Sequence, residues 1–189
     1  HSTATNNGTL SLQADEWVDE ATVHSTATAV GIKAVHTGNG SITVHNSGDI
    51  EAIATIRNPI SISAYDIHAS GAGTDATSIG IQADLIGHGQ EGDITITNAG
   101  TIKAAAEWVL DELDMLNNRQ GFHAWDYSTA AGISANHAST GNISISNSAT
   151  GVIEASDNGI DAYHNGRGNI TIANAGTIDA RDNGINAEH

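Results

Sequence analysis

The stretch GDITITNAGTIKA at residues 92–104 decides the fold, because three close copies of it recur along the chain. The copies are GSITVHNSGDIEA at 40–52, GNISISNSATGVIEA at 141–155 and GNITIANAGTIDA at 168–180. A shorter motif, G-I-x-A, precedes each copy and also follows the last, so that it occurs at 31–34, 80–83, 132–135, 159–162 and 184–187. Self-similarity at a period of about 25 residues indicates a solenoid of stacked repeats.

Each repeat contains three stretches in which apolar and polar residues alternate: G-I-x-A, I-x-I-x-N and G-x-I-x-A. Isoleucine, valine and threonine favour β-strands, and glycine and asparagine mark the turns between them. Three short strands per repeat predict an all-β chain, a parallel β-solenoid (β-helix) whose coils lie about 4.8 Å apart. We expect about six coils, including an irregular one at 53–69 and the end of an earlier one at 9–14.

The alternation also predicts which side chains are internal. One isoleucine or more in each strand should stack on its equivalents in the coils above and below. The expected ladders comprise Ile32, Ile81, Ile133, Ile160 and Ile185; Ile94, Ile96, Ile143, Ile145, Ile170 and Ile172; and Ile102, Ile153 and Ile178. The inward parity of the second strand continues to an asparagine in each repeat, namely Asn46, Asn98, Asn147 and Asn174. Because a buried amide is costly unless it is hydrogen-bonded, we expect an asparagine ladder.

The composition limits the classes of function. The 189 residues include 22 acidic and 6 basic side chains, for a formal net charge of −16, and no cysteine. Such a chain repels nucleic acids and anionic lipids, and it has neither disulfides nor cysteine-based zinc sites. It also lacks the run of about eighteen apolar residues that a membrane-spanning helix needs. The sequence starts at His1 without a signal peptide, so we expect it to be a segment of a larger protein.

The repeats, with their recurring N-x-G-x-I-x-A, resemble the passenger regions of bacterial autotransporters and related type V secreted adhesins over about 31–104 and 132–187. The resemblance implies a right-handed parallel β-helix, exported without disulfides and displayed on, or released from, a Gram-negative cell surface. It implies adhesion, aggregation or the carrying of an inserted effector domain as the role. It also implies attachment to an outer-membrane β-barrel that lies outside this sequence.

Two stretches interrupt the repeat, at 15–30 and 105–131. Each follows a strand of the third type and precedes a G-I-x-A strand, so we expect both to leave the single solenoid domain as loops from the same edge. The longer loop is predicted to contain a helix, because an apolar stripe lies opposite an acidic one on a helical wheel. The two stripes are Val109, Leu113 and Leu116, and Glu107, Asp111 and Asp114.

The interruptions hold five of the seven aromatic residues, including all three tryptophans. One interpretation is that these side chains pack the loops onto the flank of the solenoid. The other is a contact surface, since insertions on one face of a solenoid often form its binding face. The candidate residues for a host-surface or extracellular glycan or protein ligand are Trp17, Trp108, Phe122, His123, Trp125, Asp126 and Tyr127.

A histidine recurs two positions after the alanine of G-I-x-A, at His36, His137, His164 and His189. By register these side chains form a vertical row, which is a candidate for binding a transition metal or responding to acid pH. The alternative is an exposed corner column in which polar residues are tolerated. We favour that alternative, so no metal site and no cofactor is assigned.

Catalysis has little support in the sequence. Polysaccharide-degrading β-helix enzymes place paired carboxylates, or a carboxylate with a lysine or arginine, in a groove. The carboxylates of this solenoid are scattered, at Glu51, Glu154, Asp161 and Asp179. We therefore predict a non-enzymatic structural or adhesive segment of a secreted adhesin. The alternatives are a glycan-active β-helix enzyme and a self-association module for cell aggregation.

Overall fold

The computed structural model describes residues 2–6, 10–12, 23–57, 60–62, 70–87, 91–109, 123–126 and 128–189. Within these residues the chain is all-β, without a helix, and every paired strand is parallel to its neighbour. The strands in chain order are β1 (Ser2–Asn6), β2 (Leu10–Leu12), β3 (Val23–His36), β4 (Ile42–Asn46), β5 (Ile50–Arg57), β6 (Ile60–Ile62), β7 (Ser70–Leu85), β8 (Ile94–Asn98), β9 (Thr101–Val109), β10 (His123–Asp126), β11 (Thr129–His137), β12 (Ile143–Asn147), β13 (Val152–Ala155), β14 (Asn158–His164), β15 (Ile170–Asn174), β16 (Thr177–Ala180) and β17 (Ile185–Glu188).

Three parallel sheets wind into a solenoid. The first sheet contains β3, β7, β10, β11, β14 and β17, the second contains β4, β8, β12 and β15, and the third contains β1, β5, β9, β13 and β16. Four described coils therefore contribute a strand to all three sheets, while β1 and β17 each add one further strand at opposite ends of the stack. This arrangement confirms the predicted parallel β-solenoid.

The isoleucine ladders are in register. Ile81 pairs with Ile32 on one side and Ile133 on the other, and the series continues through Ile160 to Ile185. The second and third sheets repeat this arrangement, with Ile94 opposite Ile143 and Ile102 opposite Ile153. These interior isoleucines are completely buried in the middle coils, whereas Ile185 in the last strand is 45% exposed. Stacking identical side chains at each level thus builds the core.

The asparagine ladder is also confirmed. The amide nitrogen of Asn46 donates to Oδ1 of Asn98 (2.8 Å), Asn98 donates to Asn147 (2.9 Å), and Asn147 donates to Asn174 (2.8 Å). Each of the first three amides also donates to a glycine carbonyl of its own corner, at Gly48, Gly100 or Gly151. The buried amides of this ladder are therefore satisfied both along the stack and within the turn.

The coils at the N-terminal end are wider than predicted. Residues 53–57 were expected to begin a separate coil, but they continue β5 and pair with residues 105–109 of β9. No coil lies between Ile32 and Ile81, which pair directly. Within the stretch at 9–14, the described residues 10–12 are not the preceding third strand either, because β1 pairs with β5 while β2 pairs with β6 in a separate two-stranded sheet.

An alanine layer fills the widened part. It consists of eight buried alanines from the first and third sheets: Ala27, Ala29, Ala52, Ala54, Ala76, Ala104, Ala106 and Ala130. Because alanine side chains are small, the two sheets pack closely here and no larger side chain is needed between them. The buried hydroxyl of Ser78 joins the sheets by donating to the carbonyl of Ala52 at 2.7 Å.

Strands β3, β9 and β11 extend into the two predicted interruptions, which are therefore shorter than predicted. Residues 23–30 belong to β3, residues 105–109 to β9, and residues 129–131 to β11. The predicted helix is therefore wrong for 105–109, because pairing with β5 outweighs the helix propensity of the alanine run. The remaining stripe residues, Asp111, Leu113, Asp114 and Leu116, lie outside the described residues.

Candidate functional site

The aromatic candidates are only partly described. Trp17, Phe122 and Tyr127 lie outside the described residues. The backbone of Trp108 belongs to β9, where it pairs with Ile56 in the third sheet. His123, Trp125 and Asp126 belong to β10, which pairs with β7 in the first sheet and places Trp125 beside Gly73. The structure thus puts Trp108 and Trp125 in different sheets of the widened part, and the shared edge of the two loops stays a prediction.

A shallow groove lies where the wide coils meet the narrow ones. Strand β9 runs on to Val109, whereas its neighbour β13 ends at Ala155. Just after the end of β13, the hydroxyl of Ser156 accepts a hydrogen bond from the backbone N–H of Ala106 in β9 at 3.0 Å. The groove at this step has a volume of about 240 Å³ and its charged lining residues are Lys103, Glu154, Asp179 and Arg181.

The groove combines two cations with two carboxylates. Lys103 and Arg181 are two of only six basic residues in the chain, and Lys103 is the register partner of Glu154, which in turn pairs with Asp179. Two positive and two negative side chains leave the open groove without a net charge that would attract an ion of one sign.

Two members of the histidine column are buried, which corrects the expectation of an exposed corner for these two, while His36 is half-buried and His189 is exposed. His137 is 0% and His164 1% exposed. Their rings stack with centroids 4.6 Å apart and planes 14° apart, and His189 stacks on His164 at 5.2 Å. His36 has the same register position but is separated from His137 by Leu85, which pairs with both.

Both ring nitrogens of the two buried histidines are hydrogen-bonded to backbone. Nδ1 of His137 accepts the N–H of Ser139 (3.1 Å), and Nδ1 of His164 accepts the N–H of Gly166 (3.0 Å). At the other end of each ring, Nε2 donates at 2.8 Å to a carbonyl of the coil below, at Gly92 or Gly141. A backbone N–H can only donate and a carbonyl can only accept, so the rings are neutral with the proton on Nε2.

This hydrogen bonding argues against the metal hypothesis for His137 and His164. A metal takes a lone pair of a neutral imidazole, and the only lone pair of each ring already accepts a backbone N–H. Among the described residues, no three histidine, aspartate or glutamate side chains are placed to hold a metal ion together. The histidines are instead part of the corner that joins the first strand of a coil to its second strand.

Sequence reasoning found the position of the column but missed its burial. The carbonyls at Gly92 and Gly141 come from the neighbouring coil, so no local pattern around the histidine reports them. A usable signal was the glycine four residues after each histidine, Gly141 and Gly168, where φ is +146° and +157°. A side chain in that conformation is strained, and a Cβ at Gly168 would meet Nε2 of His164 at 2.9 Å.

The fold and these sites define a parallel β-solenoid whose buried polar residues form structural ladders. In the part of the chain that the structure describes, no helix is long and apolar enough to span a membrane. No protein-family model, curated protein or solved structure matches this chain.

Proposed function

We propose that this chain is a structural and adhesive segment of a secreted or surface-displayed bacterial adhesin. The solenoid acts as a stiff scaffold, and the inserted loops provide the contact surface for a host-surface or extracellular ligand. The observation that carries the proposal is the unbroken register of the isoleucine and asparagine ladders through four coils.

Stiffness follows from the ladders. Each coil is joined to the next by backbone hydrogen bonds in three sheets and by side-chain amides in the corners. In a repeat protein each unit contacts only its neighbours, so rigidity depends on these interfaces. Interfaces of the same geometry at each level give a rod that holds a binding surface away from its support.

The contact surface of the proposal is the segment between β9 and β10. It is flanked by paired strands, β9 ending at Val109 in the third sheet and β10 beginning at His123 in the first. Trp108 and Trp125 lie close to these ends in the sequence, and tryptophan provides large contact areas on sugars and proteins. Because the chain carries a net charge of −16, the expected partner is a neutral glycan or a basic protein surface.

A glycan array tests this proposal directly. We expect the protein to bind neutral glycans, and Trp108→Ala and Trp125→Ala to weaken binding by about tenfold or more, since alanine replacement of a central tryptophan removes about 2 kcal/mol or more. Tyr163→Ala is the matched control, because Tyr163 is 44% exposed on a narrow coil. Circular dichroism checks that each variant is folded. Absence of binding, or equal loss in all three variants, contradicts the assignment.

Self-association is a second candidate, favoured by the charge pattern of the second sheet. All eight outward residues of this sheet lack a carboxylate, lysine or arginine: Thr43, His45, Thr95, Thr97, Ser144, Ser146, Thr171 and Ala173. Two copies of so acidic a chain repel each other least through this face. The face measures only on the order of 300 Å², against about 800 Å² per partner in a stable interface. Association between two free molecules is therefore weak, but the contacts add up when many copies are displayed on one surface.

Sedimentation equilibrium tests this second candidate. We expect reversible dimers at high protein concentration, strengthened by salt because salt screens the net repulsion. Thr95→Asp with Thr171→Asp should abolish them, since both positions lie on the face. Ala149→Asp with Asn165→Asp adds the same charge at exposed corners and serves as the control. Dimers that survive the first pair, or that respond equally to both, exclude this face.

A further inference from the structure

We infer that the stacked pair of His137 and His164, with His189 above it, is an acid-sensitive lock on the corners that join the first strand of a coil to the second. The inference does not depend on the proposed adhesive function. It rests on three features of the two rings: their burial, their stacking and the use of both nitrogens by backbone.

Adding a proton to either ring breaks a bond that holds the corner. The proton must go to Nδ1, where the lone pair accepts the N–H of Ser139 or Gly166. After proton transfer two N–H groups face each other, and the backbone N–H loses its acceptor. A buried N–H without an acceptor is costly, so the corner at 138–142 or 165–169 has to move to bring water or another acceptor to it.

Stacking couples the two positions. With the ring centroids 4.6 Å apart, two protonated rings place like charges next to each other in a buried column, which is unfavourable. His189 extends this coupling upward through its own stacking contact and its Nε2 bond to Gly168. On the lower side Leu85 ends the column, so His36 is not part of the lock.

Other ionisable groups on the surrounding elements do not replace the lost bond. Those next in sequence to a position of the column are Asp84 on β7, Tyr163 on β14 and Glu188 on β17, and those in the corners are Glu91, Asp93 and Arg167. Tyr163, Glu188, Glu91, Asp93 and Arg167 are exposed, while Asp84 is half-buried and accepts a hydrogen bond from Gln82. Within the described residues, none of their side chains is hydrogen-bonded to a ring of the column.

The sign of the effect follows from proton counting. In the unfolded chain these imidazoles take up protons without losing a structural bond, so the unfolded state binds more protons at acid pH than the folded state does. Folding stability then falls as pH falls. Acidification also reduces the net charge of −16, which acts in the opposite direction, so the lock must be read at its own atoms.

Amide hydrogen exchange followed by NMR measures the effect at the N–H groups of Ser139 and Gly166 themselves. After correction for the intrinsic rate, we expect the N–H groups of Ser139 and Gly166 to lose about tenfold or more of their protection between about pH 7.5 and pH 5. The N–H groups of Gly48 and Gly100 are the internal control. Each of them also donates to the side chain two residues earlier in the chain. Here the acceptors are the amide oxygens of Asn46 and Asn98, which do not take up protons in this range. Unchanged protection at Ser139 and Gly166 overturns the inference.

A variant pair separates the lock from the other histidines. Leu85 shows that the column accepts leucine between two histidine positions. The double variant His137→Leu with His164→Leu therefore replaces each ring with an apolar side chain of similar size that cannot take up a proton. On acidification, the melting temperature should fall further in the wild type than in this variant, and we expect the two decreases to differ by about 3 °C or more. Nitrogen chemical shifts of the wild-type rings give the result even if the variant does not fold. Rings that take up a proton while Ser139 and Gly166 stay protected exclude the mechanism.

Discussion

Asn98→Asp is expected to lower the free energy of unfolding by about 3–5 kcal/mol at neutral pH, which is the effect of leaving a buried charge without a partner. Asn98 is fully buried, and its amide nitrogen donates to Asn147 and to the carbonyl of Gly100. A carboxylate oxygen in that place faces two acceptors. The other carboxylate oxygen retains the bonds that Oδ1 accepts from Asn46 and from the N–H of Gly100, so the effect comes from the lost donor together with the buried negative charge.

Urea unfolding of the two proteins measures this difference. Asn174→Asp is the matched control, because Asn174 is exposed at the end of the ladder and its Oδ1 only accepts from Asn147. That replacement keeps the acceptor and should change stability by less than about 0.5 kcal/mol, as surface substitutions usually do. Similar losses in both variants indicate that the ladder contributes through charge in general and not through its buried donors.

Gly80→Ala is expected to destabilise the protein by about 3 kcal/mol, at the upper end of the range for inserting atoms into a packed core. A Cβ at Gly80 would lie 2.6 Å from the carbonyl oxygen of Gly132 and would overlap Cγ2 of Ile102. The carbonyl belongs to the next coil of the first sheet and moves only if the strands separate. The side chain of Ile102 is completely buried in the core, so it cannot turn out into solvent to make room.

Thermal unfolding with Gly48→Ala as the control checks this prediction. A Cβ at Gly48 would meet no atom within 4 Å, and its backbone is not in the left-handed region. We expect Gly48→Ala to leave the melting temperature nearly unchanged and Gly80→Ala to lower it by roughly 6–12 °C, given about 2–4 °C per kcal/mol for a chain of this size. If Gly80→Ala is neutral, the first and third sheets pack less closely than the alanine and glycine positions indicate.

The ladders could be predicted because two periods agree in the sequence. Alternation over two residues assigns each side chain to the inside or the outside, and the repeat of about 25 residues places equivalent side chains on one another. The two periods together were sufficient for Ile81 on Ile133 and for Asn98 on Asn147. The bonds within the corners follow from the same register.

The widened coils could not be predicted from these periods. Residues 53–57 and 105–109 carry no glycine and no G-I-x-A motif, and they face each other 52 positions apart. Alanine has a strong helix propensity, so the run at 104–106 favoured a helix until pairing with β5 was known. The partner strand decided the structure of this segment, and a local pattern does not contain that information.

The candidate site was predictable to a similar, partial degree. The sequence located the histidine row, but burial depended on carbonyls that the adjoining coil supplies to His137 and His164. For the aromatic candidates the structure adds the strand positions of Trp108 and Trp125. Their role in binding stays a prediction.

The ladders have a consequence for how such a chain can change in length during evolution. Each narrow coil presents nearly the same set of groups upward that it meets downward: isoleucine on isoleucine, asparagine on asparagine, and histidine on histidine or, below His137, on Leu85. Duplicating or deleting one whole coil therefore creates no interface that the protein does not already have. The wide coils are different, because their alanine layer ends where β13 is short. Recombination is thus tolerated among the narrow coils, while the wide coils are exchangeable only with each other.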